Sequence, residues 1–151
     1  MPHPTNVNRL YILAKNNSST LGVNPWSSTL WITNDATSPN PTFVQAGVMD
    51  VDGSTTNEFD PIATIDSVGN VHVAWCSQSS TGSAKYRKWN DAAQAWDGPE
   101  VVIGQLGVDV TGADDTNIAV NLADEPVVAF LNYETALRGN LVVTKFNTGS
   151  G

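Results

Sequence analysis

Pro61-Ile62-Ala63-Thr64-Ile65-Asp66-Ser67-Val68-Gly69-Asn70-Val71-His72-Val73-Ala74-Trp75 reads as a short apolar strand, a polar turn and a second apolar strand. A weaker copy follows at Asn117-Ile118-Ala119-Val120-Asn121-Leu122-Ala123-Asp124-Glu125-Pro126-Val127-Val128-Ala129-Phe130. A unit that recurs along a chain marks a repeat architecture, and both copies carry strand chemistry, so the fold class is all-β. The loops ahead of the copies match as well: Gly47-Val48-Met49-Asp50-Val51-Asp52-Gly53 parallels Gly107-Val108-Asp109-Val110-Thr111-Gly112.

Outward from the central copy, Ile62–Asp66 and Val71–Cys76 are the first two strands and Ser67–Asn70 is their turn. Asp66 bonds nearby backbone N–H groups there, and Gly69 supplies a positive φ. Ala84–Trp89 is a third strand, and Trp96–Ile103 leads into an outer fourth, where Pro99 fits an edge that tolerates a lost donor. In the later copy Ile118–Leu122, Val127–Leu131 and Leu141–Phe146 repeat the order, and no fourth strand follows. Upstream, Arg9–Lys15, Ser28–Thr33 and Thr42–Gln45 are strands of a unit that starts at its second strand. Residues 1–8 read as a polar arm, with His3 in it, and Gly47–Asp60 as an acidic loop. The units are 1–46, 47–103 and 107–147 of a single domain spanning 1–151, with a period of about 55–60 residues.

The chain has 151 residues, enough for one core. Charged residues make up only 15%, against about 25% in ordinary soluble domains. Turn and strand formers take their place, and the one helix-prone patch, Asp91–Ala95, is too short to nucleate alone. Net charge is −8, which repels a phosphate backbone and an anionic membrane surface; Lys85, Arg87 and Lys88 are the only basic cluster. Nucleic acid is therefore excluded as a partner, and no apolar run is long enough for membrane insertion. Met1-Pro2-His3-Pro4-Thr5 carries no signal-peptide pattern. The single cysteine, Cys76, ends an apolar strand and reads as a buried structural thiol. Asn16-Asn17-Ser18 and Asn17-Ser18-Ser19 match the glycosylation acceptor pattern.

The units resemble the four-stranded blades of sialidase-like β-propellers (the BNR/Asp-box-related repeats). The resemblance rests on Ile62, Ala63, Asp66, Gly69, Asn70, Val73, Ala74, Trp75, Lys85, Tyr86, Trp96, Pro99, Val101 and Val102, and in the later unit on Ile118, Ala119, Val128, Ala129 and Phe130. Asp66 becomes Asn121 there, and Gly69-Asn70 becomes Asp124-Glu125. The Gly of an Asp-box falls one place late after Asp66, so no Asp-box is assigned. The resemblance implies blades of four-stranded antiparallel meander. This chain supplies about two and a half to three of the four to eight that a propeller commonly holds. The ring is then incomplete and is closed by oligomerisation or by a longer parent chain.

Sialidases of that fold use three arginines, a Tyr–Glu nucleophile pair and an acidic Asp. Here only Arg9, Arg87 and Arg138 are present, and Tyr133 and Glu134 are sequence neighbours that a strand would point apart. No catalytic set is assigned. The loop acids Asp50, Asp52, Glu58, Asp60, Asp114 and Asp115 read as solvated or turn-forming; Asp50–Glu58 has clustered oxygen donors but not the spacing of a calcium loop. One cysteine and two histidines leave no zinc site, and His72 reads as a packed, hydrogen-bonded strand residue. No metal or cofactor is implied. Among five tryptophans, Trp31 and Trp75 read as packing between units. Trp89 and Trp96 flank a polar connection, and with Arg87 they are the candidate ligand-binding residues, since flat sugar faces stack on indoles. The leading expectation is a non-catalytic, lectin-like binding and assembly module, extracellular or on a particle surface, whose partners are glycans and further copies of itself. A fragment or relative of a sialidase-like hydrolase, and a structural self-assembling protein, are the alternatives.

Overall fold

The computed structural model describes residues 1–15, 28–48, 57–78, 83–99, 101–105, 116–135 and 138–145. They hold eleven strands and no helix. β1 (Leu10–Lys15), β2 (Ser28–Thr33) and β3 (Val44–Val48) form a first antiparallel sheet in the order β1-β2-β3. β4 (Asn57–Ile65), β5 (Val71–Gln78), β6 (Ser83–Asn90), β7 (Ala95–Trp96) and β8 (Val101–Gln105) form a middle sheet. β7 and β8 pair with opposite ends of β6, so this sheet is four strands wide. β9 (Thr116–Val120), β10 (Pro126–Thr135) and β11 (Arg138–Lys145) form a third, in the order β9-β10-β11.

The two-residue alternation of β5 sends its side chains into two cores. Val71, Val73 and Trp75, with Trp89, pack on Tyr11, Leu30 and Ile32 of the first sheet. Ala74 and Cys76, with Ala84 and Tyr86, pack on Ile118, Val128 and Phe130 of the third. The middle sheet is thus covered on both faces. Cys76 is buried, with Sγ 2.6 Å from the Thr116 hydroxyl. Trp75 packs between sheets as its position suggests, whereas Trp31 lies half-buried on the first sheet's other face.

Several boundaries move for identifiable reasons. β3 begins at Val44 rather than Thr42, because the Thr42 N–H is used by the Asp35 carboxylate at 3.0 Å. Asn57–Asp60, expected in a loop, extends β4; a bulge between Phe59 and Ile62 accommodates Pro61, which cannot donate to the ladder. The expected strand over Trp96–Ile103 is split by Gly98, at φ +68°, and Pro99. Asp91–Gln94 is a turn, as a patch too short to nucleate a helix should be. β10 runs on to Thr135 and β11 starts at Arg138, so Arg138 stands in a strand and not in a hairpin loop.

The polar arm is also more ordered than its composition suggests. Pro2 bridges Leu10, the Tyr11 N–H donates to the Met1 carbonyl at 2.9 Å, and the His3 N–H donates to Arg9 at 3.0 Å. Met1–His3 therefore occupy the free edge of β1. Asp50, Asp52, Asp114, Asp115, Trp26, the Asn16–Ser19 acceptor pattern and most of the two matching Gly-Val loops lie outside the described residues.

Candidate functional site

The turn between β4 and β5 is built by Asp66. Its Oδ1 accepts from the N–H groups of Val68 at 3.1 Å and Asn70 at 2.8 Å, and Gly69 adopts φ +98°. The other oxygen of Asp66 accepts the Asn70 amide at 2.8 Å and lies 3.2 Å from His72 Nε2. His72 Nδ1 is 2.7 Å from the Tyr86 hydroxyl. Tyr86, His72 and Asp66 form one chain inside the interface of the middle and third sheets, and all three are buried. Burial pushes the His72 pKa below its ordinary value and the Tyr86 phenol above its own. The imidazole is therefore neutral: Nδ1 accepts the phenol proton and Nε2–H donates to the carboxylate, a tautomer assigned from its partners. The chain ends on no solvent-accessible nucleophile, so it orients side chains rather than a substrate.

A second network gathers at Asp91, across the first and middle sheets. Arg9 Nη1 donates to both carboxylate oxygens, at 2.7 and 2.6 Å, and the Tyr11 hydroxyl donates to Oδ1. His3 Nε2 lies 3.4 Å from Oδ2. Arg9 is held further by Asn34 at 2.8 Å and Gln94 at 2.9 Å. Asn70 ties the two networks together: its Oδ1 accepts the Asp91 N–H at 3.0 Å while its amide donates to Asp66. Tyr11 is fully buried and its phenol is pushed well above the usual range, first by burial and then by the Asp91 hydrogen bond. A tyrosine held so firmly in its protonated form is a hydrogen-bond donor, not a nucleophile. The histidine read as part of a polar arm is a buried ring: its side chain keeps only 7% of its accessible surface.

The three residues singled out as ligand-binding do come together. Trp89 and Trp96 are cross-strand partners, edge to face, with centroids 5.7 Å apart. The Arg87 guanidinium lies 4.8 Å from the Trp96 ring centroid and donates to the Gly98 carbonyl at 3.1 Å. Trp89 is only 4% exposed and belongs to the core between the first and middle sheets; Trp96 is half-buried, its indole nitrogen close over Gly47 of β3. Exposed Asp97, bonded to Lys88 at 2.7 Å and to the Asn90 amide at 3.3 Å, follows Trp96 on the other face of the sheet. Tyr133 and Glu134 lie on β10 and Arg138 on β11.

Two features were not visible in the sequence. One is the Arg9–Tyr11–Asp91 hub, which joins residues far apart in the chain with no local motif; the only signal is that Arg9 and Tyr11 are two apart, as same-face strand residues are. The other is the outer face of the third sheet. Ala119, Val127, Ala129, Leu131, Leu141 and Val143 share it by register with Asn117 and Lys145, and Leu141 is 68% and Val143 61% exposed. Among the described residues, no group of three or more His, Cys, Asp or Glu side chains is placed to hold a metal ion, and no helix is long and apolar enough to cross a membrane. Compared with known protein families and with curated proteins, the chain finds no match.

Proposed function

We propose that this chain is a non-catalytic binding and assembly module of β-propeller type, each meander serving as one blade. The observation that carries this reading is the apolar outer face of the third sheet. The middle sheet is sandwiched, yet among the described residues this face carries two large aliphatic side chains in water. Contiguous apolar surface of that kind marks an interaction site. The repeated turn at Asp66 and Asn121 supports equivalent units. The test is the native mass in dilute solution. The reading expects a multiple of 16.1 kDa; a folded particle of that mass alone overturns it.

Carbohydrate is the ligand class we assign to the Arg87–Trp96 cluster. The supporting observation is an indole that keeps part of its surface, backed by Trp89, with a guanidinium against it. On a glycan array, Trp96→Ala is expected to abolish binding without changing native mass. An array on which the unmodified chain binds nothing overturns this assignment.

A further inference from the structure

Resting on the assembly reading above, we propose that the partner is a second copy of this chain, docked head to tail, the outer face of its first sheet covering the outer face of the third.

Equivalent positions in the middle and third sheets have different surroundings. Val73 of β5 stands opposite Ala63 and Arg87; Val128 of β10 stands opposite Ile118 and Thr144. Val73 and Trp75 face the preceding sheet, as Val128 and Phe130 do. The alternate residues, Ala74 and Cys76, face the following sheet and are buried by it. Their equivalents Ala129 and Leu131 are half-buried, and the flanking Val143 and Leu141 are exposed, with no following sheet among the described residues. The same contact surface is thus made twice and covered once.

What covers it is defined by the interfaces already made. Each of these sheets turns large aromatic side chains toward the sheet before it: Trp75 and Trp89 in the middle sheet, Phe130 in the third. The first sheet also turns an aromatic that way. Leu30 and Ile32 face the middle sheet, so alternation places Trp31 on the opposite side, paired with Ile12, which is 40% exposed. A second copy therefore offers, through Trp31 and Ile12, the kind of surface that the open face of the third sheet takes. Docking strands no lone charge there: Lys145, on the rim of that face, already pairs with Glu125 at 2.6 Å. The contact joins two different patches, so successive copies form a ring if the rotation closes.

Two single-cysteine additions test the geometry, because the native Cys76 is buried and does not compete. Ile12→Cys chains mixed with Val143→Cys chains are expected to give a crosslinked dimer under mild oxidation, and neither chain alone should. In parallel, Leu141→Glu with Val143→Glu, both at exposed sites, should reduce the particle to 16.1 kDa with an unchanged circular-dichroism spectrum. Crosslinking of Val143→Cys chains alone, or no crosslink in the mixture while the native particle stays multimeric, overturns the head-to-tail contact and leaves the assembly reading standing. A native particle of 16.1 kDa overturns the assembly reading itself.

Discussion

Asp66 and Asn121 close the same turn in two different sheets. Asn121 Oδ1 accepts from Ala123 at 2.9 Å and Glu125 at 3.0 Å, as Asp66 Oδ1 does from Val68 and Asn70. The residue three places on takes a left-handed conformation in both, Gly69 at φ +98° and Asp124 at +58°. Asp124 also reaches across to the other turn, accepting from the Ser67 N–H at 2.9 Å and from its hydroxyl at 2.5 Å; these bonds hold its carboxyl below the usual range. An amide serves at 121 because one oxygen accepts the two N–H groups while Nδ2 donates to the Glu125 carboxylate at 2.7 Å. At 66 the second oxygen must also accept from Asn70 and His72. Asp66→Asn should therefore cost about 1–3 kcal/mol, the usual penalty for leaving a buried partner unmatched, while Asn121→Asp, which at an exposed position sets a carboxylate against that of Glu125, should cost less because water screens that pair. Urea midpoints of the two variants check this, and equal losses would refute it.

That comparison also shows what the sequence carries and what it does not. Asp66, Gly69 and the flanking apolar alternation are local signals, and the turn and the antiparallel strands follow from them. The alignment of the repeats slipped by one residue in the first strand. Ile62-Ala63 looks like Ile118-Ala119, yet it is Ala63 that stands opposite Val73, where Ile118 stands opposite Val128. Register is set by what a strand faces across the ladder, which a matching dipeptide does not encode. For the same reason the Arg87–Trp89–Trp96 cluster was legible, since β6 and β7 are joined by a short turn, but the depth of Trp89 was not. Its burial depends on Tyr11, Leu30 and Ile32 of a sheet far upstream. The Asp91 hub was illegible because three separate segments meet there.

Stability should fall on mild acidification, and His72 is the reason. Burial lowers its pKa in the folded chain below the ordinary 6.5, so the folded state binds fewer protons than the unfolded one just below that pH. The contribution is complete above about pH 6.5 and is lost as pH drops from there toward the folded value. His72→Gln should flatten this part of the profile in chemical denaturation between pH 5 and 7. An unchanged slope in that variant would assign the effect to other groups.

Gly69 and Gly98 separate two costs of adding a methyl group. Both have positive φ, but the methyl meets nothing within 4 Å at Gly98, whereas at Gly69 it would overlap the His3 ring. Gly98→Ala should cost about 1–2 kcal/mol, the backbone penalty alone. Gly69→Ala should cost more and should also release His3, making the amide protons of Thr5 and Asn6, which donate to His3 Nδ1 at 3.1 Å, exchange faster. Similar losses in both variants, with Thr5 and Asn6 still protected, would show that the ring simply moves aside.

Asp91 is the largest single electrostatic commitment in the described structure. Its carboxylate receives Arg9 and Tyr11, and it fastens the first sheet to the middle one. Removing the charge leaves a guanidinium mostly shielded from water, with 14% of its side chain exposed, and no carboxylate to meet it. Asp91→Asn should therefore cost about 3–5 kcal/mol, the range for breaking one partner of a buried pair. Tyr11→Phe removes one donor from a carboxylate that keeps Arg9, so a loss of about 1–2 kcal/mol is expected. The two should not add: once Asp91 is an amide, the Tyr11 hydroxyl has less to bond, and the double variant should be less destabilised than the sum by at least about 0.5 kcal/mol. A double-mutant cycle from denaturation midpoints reads that difference. Strict additivity would mean that Tyr11 and Asp91 are neighbours without being coupled, and that Arg9 alone holds the two sheets at this point.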